Sequence, residues 1–417
     1  LFSRVKGFRD VYGDEAVYWE NIEKVLKETF GLFNFKEFIL PVLERADVFH
    51  RGIGGTTDIV EKEMFAFKDR DETLVALRPE GTASLVRAYV ENKLYNPSSV
   101  KKYYYIGPMF RRERPQKGRF RQFFQAGVEV FGAEEPSVDA EVIWLLKSLA
   151  DKIGIGAMVT MEINSIGCPD CRPAYSAKLT AYLEANKEGL CDDCKRRLER
   201  NPMRILDCKV ESCKVITKDA PVMLDYLCGA CEEHFESVKK YLNAFGVEYN
   251  INKMMVRGLD YYVRTAFEMV TTQLGSQNAV GAGGRYDGLV KLLGGPATPG
   301  IGFALGIDRV VALAMQKGGL EEKGADVFIV AFKDVSDIKA LQLVKEFKDK
   351  GIIAEIDYSF RAMKKQMKTA DSSKANFTLI LGDEEMEKGT VSVKNMKTGE
   401  QISISINDTV TYIENNL

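Results

Sequence analysis

Three polar residues on what reads as a pair of facing strands are the first candidates for chemistry. The stretch from Gly107 to Gly132 (GPMFRRERPQKGRFRQFFQAGVEVFG) predicts two strands joined by a basic loop. On the outgoing strand Tyr103, Tyr105, Gly107, Met109 and Arg111 fall on one face. On the returning strand Gln125, Gly127 and Glu129 share one face, and Phe124, Ala126, Val128 and Val130 share the other. Such period-two alternation predicts a sheet with one packed face and one free face. The free face presents a cation, an amide and a carboxylate, with Gly127 leaving room between the last two for a ligand. Arg112, Arg114, Lys117, Arg119 and Arg121 crowd the connecting loop, opposed only by Glu113. A basic loop alone is ordinarily just solvated. Beside a polar sheet face, arginine forks suit a phosphate clamp.

The second set of reactive residues is sulfur. All eight cysteines lie between Cys168 and Cys231, as the pairs Cys168/Cys171, Cys191/Cys194, Cys208/Cys213 and Cys228/Cys231. Three pairs are C-x-x-C and one is C-x4-C. In a chain with no secretory signal this spacing points to zinc thiolates rather than disulfides. Eight thiolates suit two tetrahedral sites, and sequence leaves their pairing open. Reduced cysteines on a charged helical insert remain the other reading.

The elements that must position these residues are bounded by size and composition. At 417 residues, two or three domains are expected. Apolar content of 45% and charged content of 28% are those of a soluble globular protein. A formal net charge of −2 does not announce a nucleic-acid binder, so any such contact must be local. No apolar run approaches the roughly 20 residues needed to span a bilayer, and membrane partners are not expected. The opening LFSRVKGFRD has no apolar signal core, which makes the cytoplasm the expected compartment.

Along the chain, Asp14 to Phe33 predicts a helix with an Ile22, Val25, Leu26 and Phe30 stripe. Phe35 to Glu44 predicts a strand interrupted by Pro41, hence near a sheet edge. A hairpin with its turn at Asp69–Glu72 delivers Arg78-Pro79-Glu80-Gly81-Thr82 to a helix, with Thr82 as N-cap. There Glu80 either favours the helix N-terminus or meets a ligand amino group. A helix follows within 133–155, then the cysteine-bearing insertion. Pro299 to Met315 reads as a glycine-rich strand entering a helix near Ile307, with Gly302 and Gly306 permitting close approach of a flat ligand or backbone. Beyond a linker at Gln316–Gly324, strands and helices alternate and end in a hairpin and a last helix, as in a small α/β domain.

FRRERP followed by RFRQFFQAGVEVFG resembles motif 2 of class II aminoacyl-tRNA synthetases, in the form found in histidyl-tRNA synthetases. RPEGT resembles the amino-acid-binding segment of that family. Val256 to Glu268 (VRGLDYYVRTAFE) and Gly283 to Val290 (GGRYDGLV) resemble its two histidine signatures, in the expected order. The first helix and proline-bearing strand resemble motif 1, and Pro299 to Met315 resembles motif 3. The resemblance covers essentially the whole chain. It implies an α+β fold: a class II catalytic domain on a mostly antiparallel sheet (1–164 and 246–320), a helical insertion (165–245) and a C-terminal α/β anticodon-binding domain (325–417).

It also implies a ligase that forms histidyl-adenylate from L-histidine and ATP and transfers the histidyl group to the 3′-hydroxyl of tRNA(His). Mg²⁺ would bridge the outer phosphates of ATP, and the working form would be a homodimer. By motif position, Arg111 would hold the α-phosphate and the histidine carboxylate. Arg257 would sit opposite it, stabilising charge on phosphorus. Glu113, Arg119, Phe123 and Arg309 would contact ATP, with Arg309 on the γ-phosphate. Glu80, Thr82, Gln125, Glu129, Tyr261 and Tyr262 would line the histidine site, with Tyr286 closing it. Glu129 and Tyr262 would meet the imidazole nitrogens, one of which donates and the other accepts in the neutral ring. Phe124 departs from the polar residue of many relatives and falls on the packed face. Lys333, Arg361, Lys364 and Lys365 are the candidate RNA contacts of the last domain. A regulatory paralogue that binds histidine only as an effector would have eroded signatures and usually no last domain. A zinc-dependent nucleic-acid binder would leave the other motifs unexplained.

Overall fold

The computed structural model describes residues 2–54, 57, 59–97, 99–115, 118–275 and 278–417. They fall into two compact units, Leu1–Leu320 and Glu321–Leu417. The first is built on an eight-stranded sheet. In spatial order its strands are Lys36–Glu37, Lys101–Phe110, Gln122–Phe131, Gly300–Gly306, Ala279–Arg285, Val263–Val270, Thr160–Ser165 and Asn250–Ile251. The six central strands are antiparallel, and a two-residue strand closes each edge in parallel.

One face of this sheet is packed as the alternation predicts. Ala126, Val128 and Val130 enter a core with Ile22, Leu26 and Phe30 of helix Asp14–Leu32 and with the buried side of helix Pro136–Ile153. The opposite face is not free. Tyr105, Met109, Tyr261, Tyr262 and Tyr286 form a second buried cluster over it, and Glu129 has no exposed surface. Helix Thr82–Glu91 and the 255–290 segment supply that cover, so the polar face becomes the floor of an enclosed site.

The single strand expected over Phe35–Glu44 is two. Lys36–Glu37 edges the large sheet, whereas Leu43–Arg45 joins a three-stranded sheet with Leu74–Leu77 and Phe65–Lys68. Pro41 sits in the break, where a residue with no N–H cannot continue a ladder.

The insertion has its own core. Tyr175, Leu179, Leu183, Leu198, Ile205 and Met223 cluster with five buried cysteines among its short helices, and the other three cysteines are partly buried against that core. The second unit carries a five-stranded sheet in the order Ala354–Ile356, Val327–Ala331, Phe377–Leu381, Thr390–Asn395 and Gln401–Ser405. Its first three strands are parallel and its last three antiparallel, the mixed sheet expected for an α/β domain. The helix that follows strand Ala354–Ile356 begins at Met363, after Phe360 adopts a φ of 44°.

Candidate active site

Two adjoining polar regions lie on the sheet. The first is a cleft of about 210 Å³, lined by Arg111, Glu113, Arg119, Phe123, Gln125 and Arg309 together with the glycine-bearing strands 279–282 and 304–306. Arg111 lies over the Phe123 ring at 5.1 Å and donates from Nε to the Pro79 carbonyl at 3.0 Å. Arg119 pairs with Glu113, and Arg309, in the first turn of helix Ile307–Lys317, donates to the Ala279 carbonyl.

Burial pulls the pKa of all three arginines below the usual guanidinium value, and Arg111 depresses both Arg119 and Arg309 further. The guanidiniums stay charged, since arginine does not deprotonate in proteins. Three mutually repelling cations around one cleft form a site for a polyanion.

Of the five basic residues of the loop, only Arg119 lines the cleft among those described. Arg121 is bound to the N-terminal segment, its N–H donating to Gly7 O at 2.8 Å, and Arg112 lies over the Phe65 ring. Arg114 is exposed, and Lys117 lies outside the described residues. The loop is therefore a scaffold for one cation rather than a five-pronged clamp.

Behind the cleft lies the second region. Glu129 accepts from Thr82 Oγ1 at 2.6 Å and from the Tyr286 hydroxyl. Burial pushes its pKa up to about 8, against the opposing pull of those two donors. Glu80 is also buried and raised by burial, and it accepts from the N–H groups of Thr82 at 2.7 Å and Ala83 at 2.9 Å. Glu80 thus caps the helix. Thr82 is its first residue rather than its N-cap, because its hydroxyl is committed to Glu129.

The Tyr105 and Tyr261 hydroxyls, Gln125 Oε1 and Arg257 Nε find no hydrogen-bond partner among the described residues. Buried polar atoms left open in this way are available to an external partner. The tyrosines pack around them, with ring centroids 4.6 Å apart for Tyr261–Tyr262 and 5.8 Å for Tyr261–Tyr286.

Glycines make this packing possible by admitting the protein's own side chains. A Cβ on Gly127 would lie 2.2 Å from the Tyr105 ring, and one on Gly81 would meet the other side of the ring at the same distance. The space reserved beside Gly127 for a ligand is thus filled by Tyr105. A Cβ on Gly302 would fall 2.0 Å from Glu129 Oε2, so that glycine seats the carboxylate rather than a ligand. Gly306 does line the cleft.

Arg257 does not line the cleft with Arg111. It pairs with Glu268, lies over the Tyr262 ring at 5.4 Å and lines a separate depression with Tyr262 and Asp260. Phe124 packs edge-on to Trp19 at 4.9 Å and also borders the cleft.

Sequence reasoning missed three supports. Tyr105 pairs with Gly127 across the hairpin, and that register was the available signal. Asp308 accepts from Phe124 N at 2.8 Å and from Arg9, tying the cleft to the N-terminal segment. Arg285, fully buried, binds Asp139, which His234 also meets at 3.2 Å.

The cysteines resolve into two groups of four, Cys168/Cys171/Cys228/Cys231 and Cys191/Cys194/Cys208/Cys213, with all Sγ atoms in each group within 4.8 Å of one another. All eight are free thiols.

A six-stranded antiparallel core, an arginine-lined cleft ending in a strand-to-helix arginine, and a separate mixed α/β unit define the class II aminoacyl-tRNA synthetase architecture. The comparisons narrow the class. A family profile described as histidyl-tRNA synthetase matches residues 7–310, and one described as an anticodon binding domain matches residues 326–416. The histidine–tRNA ligase of Geobacter metallireducens is 48% identical over 98% of both chains, and that of Halothermothrix orenii is 48% identical over 96% of both. The apo histidyl-tRNA synthetase of S. aureus superposes with a TM-score of 0.82 at 37% identity, covering 99% of this chain and 100% of that one. The chain belongs to the histidyl-tRNA synthetase family.

Proposed function

We propose that this chain activates L-histidine with ATP and transfers it to tRNA(His), using the residues of these two adjoining regions. The observation that carries the reading is the open set of buried polar atoms beside Glu129, next to a cleft with three crowded guanidiniums. Histidine lies with its imidazole between Glu129 and Tyr262, and its amino group toward Glu80, Thr82 and Gln125. Tyr261 and Tyr286 close the pocket. A site built on such hydrogen bonds rejects analogues that lack the ring nitrogens.

ATP occupies the cleft against Phe123, with its phosphates on Arg111, Arg119 and Arg309. Mg²⁺ would be bound with the outer phosphates, and Glu113 is one of the carboxylates lining the cleft that could help to hold it. A histidine carboxylate oxygen attacks the α-phosphorus in line. The bond to the bridging oxygen breaks, and pyrophosphate leaves. Arg111 binds the α-phosphate and the attacking carboxylate. Arg257, freed from Glu268, meets the developing charge from the opposite side. The 3′-hydroxyl of the tRNA then attacks the acyl carbon, losing its proton as AMP departs. No covalent enzyme intermediate is required; positioning is able to supply on the order of 7–11 kcal/mol.

The functional division is 1–164 with 246–320 for catalysis, 165–245 as the insertion and 325–417 for the anticodon. Ile39, Val42, Leu43, Phe67 and Leu74 are exposed apolar residues on and beside the motif 1 strands, which supports a homodimer formed there. No described helix is long and apolar enough to cross a membrane, and the activity belongs with cytoplasmic translation. Each four-cysteine group is read as a structural Zn²⁺ site, since the donor set is all thiol and the Sγ atoms already converge. Metal retained after purification without chelator tests that reading.

The test of function is histidine-dependent exchange of pyrophosphate into ATP without tRNA. Exchange is expected. Its absence with histidine still bound would overturn the reading in favour of a regulatory paralogue.

A further inference from the structure

Residues next to each of the two cysteine groups are joined by hydrogen bonds to the segment that carries Arg257, Tyr261 and Tyr262. In the first group, Cys168 and Cys171 form a turn closed by Cys171 N donating to Cys168 O at 3.2 Å. Cys228 N donates to Cys171 Sγ at 3.1 Å, and Cys168 Sγ lies 3.5 Å from Cys171 Sγ and 3.9 Å from Cys228 Sγ. The second group repeats the pattern, with Cys191 N donating to Cys213 Sγ at 3.2 Å and 3.9 Å between the Cys191 and Cys208 sulfurs. A tetrahedral ion with Zn–S bonds of about 2.3 Å holds its sulfurs roughly 3.8 Å apart. Backbone N–H donors to sulfur favour the thiolate form that such an ion requires.

The first turn is hydrogen-bonded to the histidine signature through its neighbours. Arg172, next after Cys171, donates to the Tyr262 carbonyl and, at 3.3 Å, to Ile166 O. Ile166 N donates to Arg264 O at 2.8 Å, and Arg264 N donates to Gly167 O at 2.9 Å. Arg264 holds a φ of 51°, a left-handed conformation that a non-glycine residue keeps only when its surroundings enforce it. Cys168 and Tyr261 also border one surface depression.

The second group brackets the other end of the signature. Between Cys194 and Cys208, Asn201 Nδ2 donates to Asp260 Oδ1 at 3.0 Å and Arg204 Nη1 donates to Arg257 O at 3.1 Å.

We propose that zinc in these two groups braces residues 257–264 from both ends, so that metal at the Cys168 group sets the placement of Tyr261 and Tyr262 against bound histidine. The proposal rests on the zinc reading and on those tyrosines lining the histidine pocket. The metal takes no part in the reaction. Four thiols bind each ion by releasing their protons to solvent, and the resulting excess negative charge at the Cys168 group lies beside Arg172. Arg172 is the positioning residue, since it links the ligand turn to the Tyr262 carbonyl.

The test uses the full chain, purified without chelator, with two zinc ions per chain expected by metal analysis. Cys231→Ser should lose one of them. In histidine-dependent pyrophosphate exchange, its KM for histidine should rise on the order of tenfold while KM for ATP stays within about twofold. Arg172→Gln should keep both zinc ions and still raise KM for histidine, a split that general destabilisation would not give. It decides the matter even where Cys231→Ser does not fold. Protein without zinc overturns the zinc reading and the brace with it. Protein with two zinc ions, whose Arg172→Gln variant has an unchanged KM for histidine, overturns the brace alone. Wild-type protein without exchange fails at the proposed activity instead.

Discussion

Glu129→Gln separates the function of the buried carboxylate from its effect on the fold. In the folded protein Glu129 has a pKa of about 8 against an ordinary 4.5. The fold therefore keeps a proton that the unfolded chain releases, and the unfolded state gains relative to it as pH rises. This group costs nothing below about pH 4.5, an increasing amount up to about pH 8, and a constant amount above. Glutamine removes that cost. Its two hydroxyl neighbours, Thr82 at 2.6 Å and Tyr286, adapt, because a hydroxyl can rotate to donate to the amide oxygen or accept from its NH₂. The variant should melt no lower than wild type at pH 7 and higher at pH 9. Histidine affinity should move the other way. A charge-assisted hydrogen bond to the imidazole is worth about 1.5–3 kcal/mol, so above about pH 8, where Glu129 is ionised, its loss should weaken binding roughly 10- to 150-fold. Wild-type affinity should improve as pH rises through about 8 and Glu129 ionises, and the variant should lack that step. Titration calorimetry with histidine at several pH values, paired with thermal melts, reads both quantities. Histidine affinity within threefold of wild type at pH 9 would refute the assignment of Glu129 to the imidazole.

Arg111→Ala should reduce pyrophosphate exchange by about 10²–10³-fold with little change in melting temperature, as removal of one transition-state donor does. Arg257→Ala should nearly abolish adenylation in steady-state assays while leaving the fold intact, and near-normal turnover would reject its role. Arg285→Met should act on stability, because it leaves buried Asp139 with His234 as its side-chain partner. Breaking such a pair costs about 3–5 kcal/mol, measurable as a shift in denaturant midpoint. Gly127→Ala should cost about 1–3 kcal/mol of stability, and should also weaken histidine binding, since its methyl would lie 2.2 Å from the Tyr105 ring. Calorimetry that finds native histidine affinity in this variant would count against Tyr105 as a wall of the pocket.

Long elements and the order of the signatures were legible because they are local. Helix Asp14–Leu32 declares its stripe within its own turns, and the hairpin alternation separates Val128 from Glu129 without reference to anything else. What covers a face is not local. Glu80, Tyr105, Glu129, Tyr262 and Tyr286 meet only after four distant segments fold together, so a polar face that ought to meet water becomes a buried floor. Thr82 shows a local rule yielding to a distant partner: a hydroxyl suited to capping goes to Glu129, and Glu80 caps in its place. The glycines make the same point in reverse. In sequence, a glycine on a ligand-facing strand reads as space for a substrate. Here Gly81 and Gly127 hold the Tyr105 ring between them, Gly300 admits Tyr286 and Gly302 admits Glu129. Their missing side chains let aromatic and acidic groups approach the sheet closely enough to be fixed before any ligand arrives. Specificity for an imidazole then depends on that prior fixing, because a hydrogen-bonding wall discriminates only where its groups cannot move to follow the wrong ligand.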